Sequence, residues 1–253
     1  MGTLNGKTAW VTGAGSGIGE AVALRFAREG AAVVLTGRRK EPLETVAARI
    51  REAGGTAHVQ PADCGDADQV ARVAGWIRGT LGRLEVLSSN AGVNITERDW
   101  RRLSPAGVEE VVRGNLLSAF FVAQAVLPLM RAQGGGVMIH TASMAGRHVS
   151  PMSGSAYAAA KHAVVAMSHG INMEECTNGI RSTAFCPGEV NTPILKKRPN
   201  PLSQQDLDRM LQPEDCADLI CYVAGLPPHV TMNEVWLTPT WNRGYVAAQQ
   251  RKL

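Results

Sequence analysis

The sequence predicts an α/β fold, a parallel sheet with crossover helices in a single domain. Three observations carry that expectation. Short apolar runs alternate with stretches of helical spacing from Lys7 to Thr238, the pattern of parallel strands joined through helices. The first run passes straight into a glycine-rich turn and then a helix, the βα unit that offers a helix N-terminus to a phosphate. No repeat, linker or low-complexity stretch divides the 253 residues, a length that suits one α/β domain spanning 1–253.

The elements follow in order. Residues 7–12 (Lys-Thr-Ala-Trp-Val-Thr) form the first strand, and Gly13-Ala-Gly-Ser16-Gly17-Ile18-Gly19 the turn. Residues 20–29 have helical spacing, with Ala21, Leu24 and Phe26 apolar and a stop at Gly30. The spacing Gly-x-x-x-Gly-x-Gly at Gly13, Gly17 and Gly19 lets the backbone approach a pyrophosphate and lets the helix lie tight on the sheet. Residues 31–36 are a second buried strand. Dinucleotide folds place an acid at its end to hold a ribose 2′-hydroxyl. Here the end reads Gly37-Arg38-Arg39, which attracts a 2′-phosphate and therefore NADP. A solvated helix start would read the same way.

A helix over 41–53 stops at Gly54-Gly55, and 56–60 is a third strand. Asp63 lies where an adenine edge could be held, although Asp is also a common helix cap. A helix over 66–81 and a strand over 84–89 lead to Asn90-Ala91-Gly92. Ser104 caps, and Pro105 opens, a long helix to about residue 130, whose apolar stripe includes Val108, Val111, Val112, Ala119 and Val122. Asn115 falls on that stripe, either as a structural amide or as a functional one. A strand over 137–141 precedes Ser143, at the end of the sheet where such folds bind ligands. Ser143 also fits a plain turn.

A long helix from 155 to about 175 carries Tyr157-Ala-Ala-Ala-Lys161. Positions i and i+4 share one helix face, so phenol and ammonium project together over small alanines. A nearby positive charge favours phenolate, and bringing a phenol from its pKa of ~10 to neutral pH takes about 3–4 kcal/mol. One lysine and a second cation suffice for that; by itself the pattern also fits an ordinary helix surface. A strand over 180–185 ends in Pro187-Gly188-Glu-Val190-Asn-Thr192-Pro. The stretch 189–203, rich in Pro, Lys and Arg, reads as a mobile cover in which Lys196, Lys197 and Arg198 could attract an anion. Helices over 203–211 and 214–224 and a strand over 234–238 follow, and the tail 241–253 has no clear period.

Composition narrows the classes. The net charge of +4 is too small and too scattered to argue for nucleic acid, so no such partner is expected. Five cysteines without metal-ligand spacing read as reduced thiols of a cytoplasmic protein. The six His form no ligand cluster, so no metal is expected. No signal peptide or long apolar span is visible in the sequence, so no membrane association is expected.

Thr12-Gly13-Ala-Gly-Ser-Gly17-Ile-Gly19, Asn90-Ala91-Gly92, Asn115, Ser143, Tyr157-x-x-x-Lys161 and Pro187-Gly188 stand in the order and rough spacing of the short-chain dehydrogenase/reductase family. The resemblance runs from Lys7 to about Thr238. It implies a Rossmann-type, doubly wound sheet of about seven strands with helices on both faces. It implies Tyr157 as acid/base, Lys161 holding the nicotinamide ribose and lowering the Tyr157 pKa, Ser143 on the substrate oxygen, and Asn115 holding a water in a proton relay. Gly13, Ser16, Gly17, Ile18, Gly19, Asn90, Ala91, Gly92, Pro187, Gly188, Val190 and Thr192 would line the cofactor site with Gly37, Arg38, Arg39 and Asp63. The implied activity is an NADP(H)-dependent oxidoreductase interconverting a secondary alcohol and a ketone, or a hydroxy acid and a keto acid. The implied assembly is a homotetramer or dimer built on the helices of Asn115 and Tyr157. A non-catalytic NADP redox sensor or a structural subunit is the alternative, and the intact Tyr157, Lys161, Ser143 and Asn115 argue against both.

Several departures stand out. Ser89 replaces the usual first Asn, and the interval from Ser143 to Tyr157 is one residue longer than the commonest spacing. Ser16 stands where many NADP-binding members carry a base, and no Asp-Gly-Gly follows the last strand. The 187–193 stretch and Val235-Trp-Leu-Thr-Pro239 resemble the branch near serine and 3-hydroxy-acid dehydrogenases.

Overall fold

The computed structural model describes residues 2–198 and 201–250. The predicted cover over 189–203 and the tail over 241–253 therefore lie partly outside the described residues. Among the described residues, seven strands form one sheet: β1 (Thr8–Thr12), β2 (Ala32–Thr36), β3 (Thr56–Val59), β4 (Val86–Ser89), β5 (Gly136–Thr141), β6 (Ile180–Pro187) and β7 (Glu234–Leu237). Their order is β3-β2-β1-β4-β5-β6-β7, and every pairing is parallel. The order reverses between β1 and β4, and a crevice at the carboxyl ends opens there, where open α/β sheets hold ligands.

Both faces of the sheet are covered, so the strands are apolar without alternation. On one face, α1 (Gly17–Arg28), α2 (Lys40–Glu52) and α8 (Pro213–Ala224) bury Phe26, Leu43 and Ile220 with Ala9, Val11 and Leu35. On the other, α3 (Ala67–Thr80), α5 (Ser118–Ala132) and α6 (Ser155–Glu175) bury Ile77, Val122 and Val164 with Trp10, Val34 and Met138. Successive β1 residues thus feed opposite cores, as the two-residue pleat requires. The buried Trp10 indole donates to Thr36 Oγ1 at 2.8 Å, which satisfies its one polar atom.

Helix starts follow their caps. Asp66 accepts from the Asp68 and Gln69 amides at the start of α3. Ser104 accepts from Gly107 at the start of α4 (Pro105–Val112), with Pro105 in its first turn.

Four expectations change. The long helix from Pro105 is interrupted by a π-helical turn, Arg113–Leu117, before α5 begins. Val108, placed on the buried stripe, is exposed, because α4 rests on α6 instead of on the sheet. The helix predicted over 203–211 shrinks to α7 (Gln204–Asp208): Val190 bridges Leu211, and burying Met210 and Leu211 draws the chain out of the helix. The tail forms α9 (Arg243–Gln250) although its sequence shows no period. The stretch Pro105–Ala132 does carry the length and apolarity of a membrane span. In the fold its Ala119, Val122 and Val126 fill the second core.

Candidate active site

A cleft of about 750 Å³ runs along the carboxyl ends of the central strands. Every residue that the sequence nominated for catalysis or cofactor binding lines it, from Gly13 to Thr192, whereas Lys196 and Lys197 do not. The structure brings the candidate catalytic and cofactor residues together.

The floor at β1 is made of backbone. Gly13 and Gly17 take positive φ, 65° and 58°, which L side chains rarely adopt. A Cβ on Gly19 would stand 2.3 Å from the Gly13 carbonyl oxygen, so only glycine allows α1 to begin that close to β1. Ser16 is the N-cap of α1 and its side chain makes no capping bond, leaving the first-turn amides facing the cleft. Exposed amides at a helix N-terminus and a close backbone approach are what a pyrophosphate needs. The residues present therefore fit a dinucleotide. Across the cleft, Thr192 overlies the turn, since a Cβ on Gly17 would lie 3.1 Å from Thr192 Cγ2. Ile18 packs partly on the first core, and Val190 is buried in it.

At the end of β2, Arg38 and Arg39 are exposed at the cleft wall, and neither has an ion-pair partner among the described residues. A Cβ on Gly37 would meet only Leu43 Cδ2, at an ordinary 3.5 Å. Space does not forbid a carboxylate there. Asp63 Oδ1 accepts from the Gly65 amide at 2.9 Å, which orders the turn after β3.

The strand ends are tied to one another. Thr12 Oγ1 accepts from the amides of Asn90 and Ala91 at 3.1 and 3.2 Å. Asn90 Nδ2 donates to the Ser88 carbonyl, and its Oδ1 accepts from Thr141 Oγ1 at 2.7 Å. Lys161 Nζ then donates to the Thr141 carbonyl at 2.7 Å. Gly92 makes room for this, because a Cβ there would lie 3.0 Å from Asn115 Oδ1 and 3.6 Å from Lys161 Nζ. Gly188 donates to the Leu237 carbonyl at 2.7 Å, fixing the turn that follows Pro187 at the end of β6.

Asn115 sits inside the π-helical turn, buried, and donates to the carbonyls of Val93 and Val111 at 2.8 Å each. Such turns are frequent at functional sites because they reposition one residue without ending the helix. Ser143, just after β5, caps the 3-10 turn Met144–Gly146 by accepting from the Ala145 amide at 3.1 Å. Tyr157 and Lys161 share a face of α6 as expected, with Nζ 5.6 Å from the Tyr157 ring centre.

The electrostatics differ from the expectation in one respect. Burial pushes the Tyr157 phenol up, and hydrogen bonding to Ser143 and the charge of Arg98 act against that rise. Lys161 is deeply buried as well, and desolvation pushes its ammonium down to about 8.

At the far end of the cleft the sequence reading named Arg198 but missed Arg98, Glu189 and Arg243. Arg98, in the irregular segment after β4, is 9% exposed and lies in the cleft wall with Tyr157. Glu189 accepts from Arg198 Nη2 at 2.7 Å and from Arg243 Nε at 2.8 Å. Loop residues without periodicity gave no pattern to find. Gly154 was the available signal. Its φ is 80°, and a Cβ there would stand 2.8 Å from Arg98 Cβ, so this glycine admits Arg98.

The family profile described as short chain dehydrogenase matches residues 7–202. The chain belongs to this family. An uncharacterized oxidoreductase of Staphylococcus aureus is 34% identical over 242 residues, 94% of this chain and 100% of the relative. A metagenomic short-chain oxidoreductase solved in complex with NADP superposes with a TM-score of 0.82 at 29% identity, covering 95% of this chain and 100% of that one. The 3-ketoacyl-(acyl-carrier-protein) reductase of Brucella melitensis, solved with NADH, superposes with a TM-score of 0.84 at 26% identity, covering 93% and 98%. Within this family the chain is an oxidoreductase that binds a nicotinamide cofactor and a small-molecule substrate. Its relatives divide between the two dinucleotides.

Proposed function

We propose that this oxidoreductase uses NADP(H) to interconvert a secondary alcohol and a ketone, or a hydroxy acid and a keto acid. One observation carries the reading. Tyr157, Lys161 and Ser143 line the same cleft as the uncapped N-terminus of α1. The bound cofactor would supply or accept the hydride. Gly13, Gly17 and Gly19 with the first amides of α1 would hold its pyrophosphate, and Arg38, assisted by Arg39, a 2′-phosphate. Asp63 would face the adenine, and Asn90 to Gly92 with Pro187 to Thr192 would line the nicotinamide half.

Tyr157 would give its phenolic proton to the substrate oxygen in reduction and take it back in oxidation. Ser143 would donate a hydrogen bond to the same oxygen as charge develops there. Lys161, held by the Thr141 carbonyl, would place an ammonium beside the ring and reach the cofactor ribose. Asn115, fixed by two carbonyls, would hold a water that returns protons to Lys161. The chain would act as one cofactor-binding and catalytic domain in the cytoplasm. Four of its five free cysteines are buried, in keeping with a reducing compartment. Phe120 on α5 and Met173 on α6 are exposed apolar side chains on helices expected to pair copies, as Tyr222 and Trp236 are on α8 and β7. Light scattering should therefore give a dimer or tetramer.

An NADPH-oxidation screen over ketones, oxo acids and aldehydes, repeated with NADH, tests the reading. Turnover of at least one class with NADPH preferred is the expected result. Tight NADPH binding without turnover of any class would make the protein a redox sensor and end this proposal.

A further inference from the structure

The arginine cluster at the far end of the cleft carries an inference that rests on the reductase reading and goes further. We propose that Arg98 binds a carboxylate of the substrate, so that the enzyme acts on oxo acids and hydroxy acids in preference to neutral ketones and alcohols.

Arg98 is 9% exposed and lines the cleft that contains Tyr157. Its Nη1 donates to the Met152 carbonyl at 3.3 Å and its Nη2 to the Lys197 carbonyl at 2.5 Å. Among the described residues its buried Nε–H has no partner. Both acceptors are neutral, so they leave the charge uncompensated. A guanidinium carries five N–H donors, so two carbonyl bonds leave the Nε–H and others for a ligand.

The neighbouring charges sharpen the point. Arg198, which pushes the Arg98 pKa down in addition to burial, is itself paired with Glu189. Glu189 also receives Arg243, so both of its oxygens are engaged: Oε1 by Arg198 and Arg243, Oε2 by Arg243. Two guanidiniums thus share the Glu189 carboxylate, and Arg98, which feels the charge of Arg198, has no ion pair with it among the described residues. A buried charge without a counter-charge is costly to fold. Arg98 and Tyr157 line the same cleft and lie close enough for each to feel the other's charge. A planar carboxylate matches the free guanidinium edge, and a bidentate contact would set the rest of the substrate relative to Tyr157. Arg198 and Arg243 stay bonded to Glu189 and hold the wall in place.

The test compares 2-, 3- and 4-oxo acids with their methyl esters under NADPH, in wild type, Arg98→Lys and Arg98→Leu. Wild type should favour at least one acid over its ester by about 10- to 100-fold in kcat/KM, the discrimination of a charge-assisted contact. Arg98→Leu should collapse that ratio, mainly through KM of the acid, and Arg98→Lys should restore part of it. A second readout needs no turnover: butyrate against butyramide in titration calorimetry. Butyrate should bind wild type, bind Arg98→Lys more weakly, and not bind Arg98→Leu, whose folding is checked by circular dichroism. Equal kcat/KM for acids and esters in wild type, or an unchanged ratio in Arg98→Leu, would overturn the inference. Should no carbonyl compound turn over at all, the reductase reading fails by itself, and the butyrate titration still decides whether Arg98 is a carboxylate site.

Discussion

The two ends of the cleft are built differently. At β1 and α1 the wall is backbone, with two glycines at positive φ, a third pressed against a carbonyl, and helix amides without a capping side chain. At the far end the wall is side chains from separate loops and the tail, with Arg198 and Arg243 bonded to Glu189 and Arg98 held by the Lys197 carbonyl. A ligand shared across a family can be gripped by main chain, which tolerates sequence change. A ligand particular to one member must be gripped by side chains that differ. The proposed cofactor therefore sits against the first wall and the proposed substrate against the second.

Four experiments break or sharpen this contrast, from the largest expected effect to the smallest. Tyr157→Phe stands where the two ends meet. It should lower kcat by about 10²- to 10⁴-fold, the usual worth of general acid–base catalysis. The Kd for NADPH measured by fluorescence should stay within a few-fold. Turnover near wild type would assign the proton to another group.

Gly19→Ala adds one methyl at 2.3 Å from a backbone oxygen that cannot move aside. It should cost about 1–3 kcal/mol in chemical denaturation, as overpacking does, and weaken NADPH binding. A neutral result would show that the floor is softer than its contacts imply.

Gly37→Asp combined with Arg38→Ile converts the proposed 2′-phosphate contact, which is made by side chains. The Cβ of residue 37 has room, so the fold should survive. Preference in kcat/KM should swing from NADPH toward NADH by about 10- to 100-fold. An unchanged preference would remove Arg38 from the 2′-phosphate site.

Arg147→Ala tests the fastening of the turn after Ser143 to the sheet. Arg147 bonds Glu234 on β7 and helps hold that carboxyl down at about 2. A lowered folded pKa means stability that is present above the unfolded value near 4.5 and lost as pH falls toward 2. Wild-type Tm should therefore fall between about pH 4.5 and pH 2, and fall less steeply in the variant. Arg147 is 38% exposed, so solvent screening keeps the effect small.

What could be read in advance divides along the same line. Strands buried on both faces announce themselves as apolar runs, and the helix carrying Tyr157 runs over Ser155–Glu175 as its spacing predicts. Gly13, Gly17 and Gly19 were legible because a backbone requirement selects a residue type at a fixed spacing. The π-helical turn around Asn115 was not, since no residue type marks it. Arg98 was not, since its burial depends on Gly154, distant in sequence and not marked as its neighbour. The end of α7 at Asp208 was set by a long-range bridge from Val190 to Leu211, which no local window contains.

The chain of bonds from Thr12 through Asn90 and Thr141 to Lys161 has a consequence for how this molecule breathes. The amides of Asn90 and Ala91 are bonded to Thr12, and Asn90 is bonded in turn to the residue that holds Lys161. Their hydrogen exchange should track one opening event, slow and shared, instead of separate fraying at each strand end. Stability and activity commonly compete at reactive sites, because the groups that do chemistry are poor at holding a fold together. Here the bond that holds Lys161 is also part of a clasp across the ends of β1, β4 and β5. Loosening it should slow turnover and speed exchange together, so a variant selected at Thr141 for faster turnover should not emerge from the less stable part of a library.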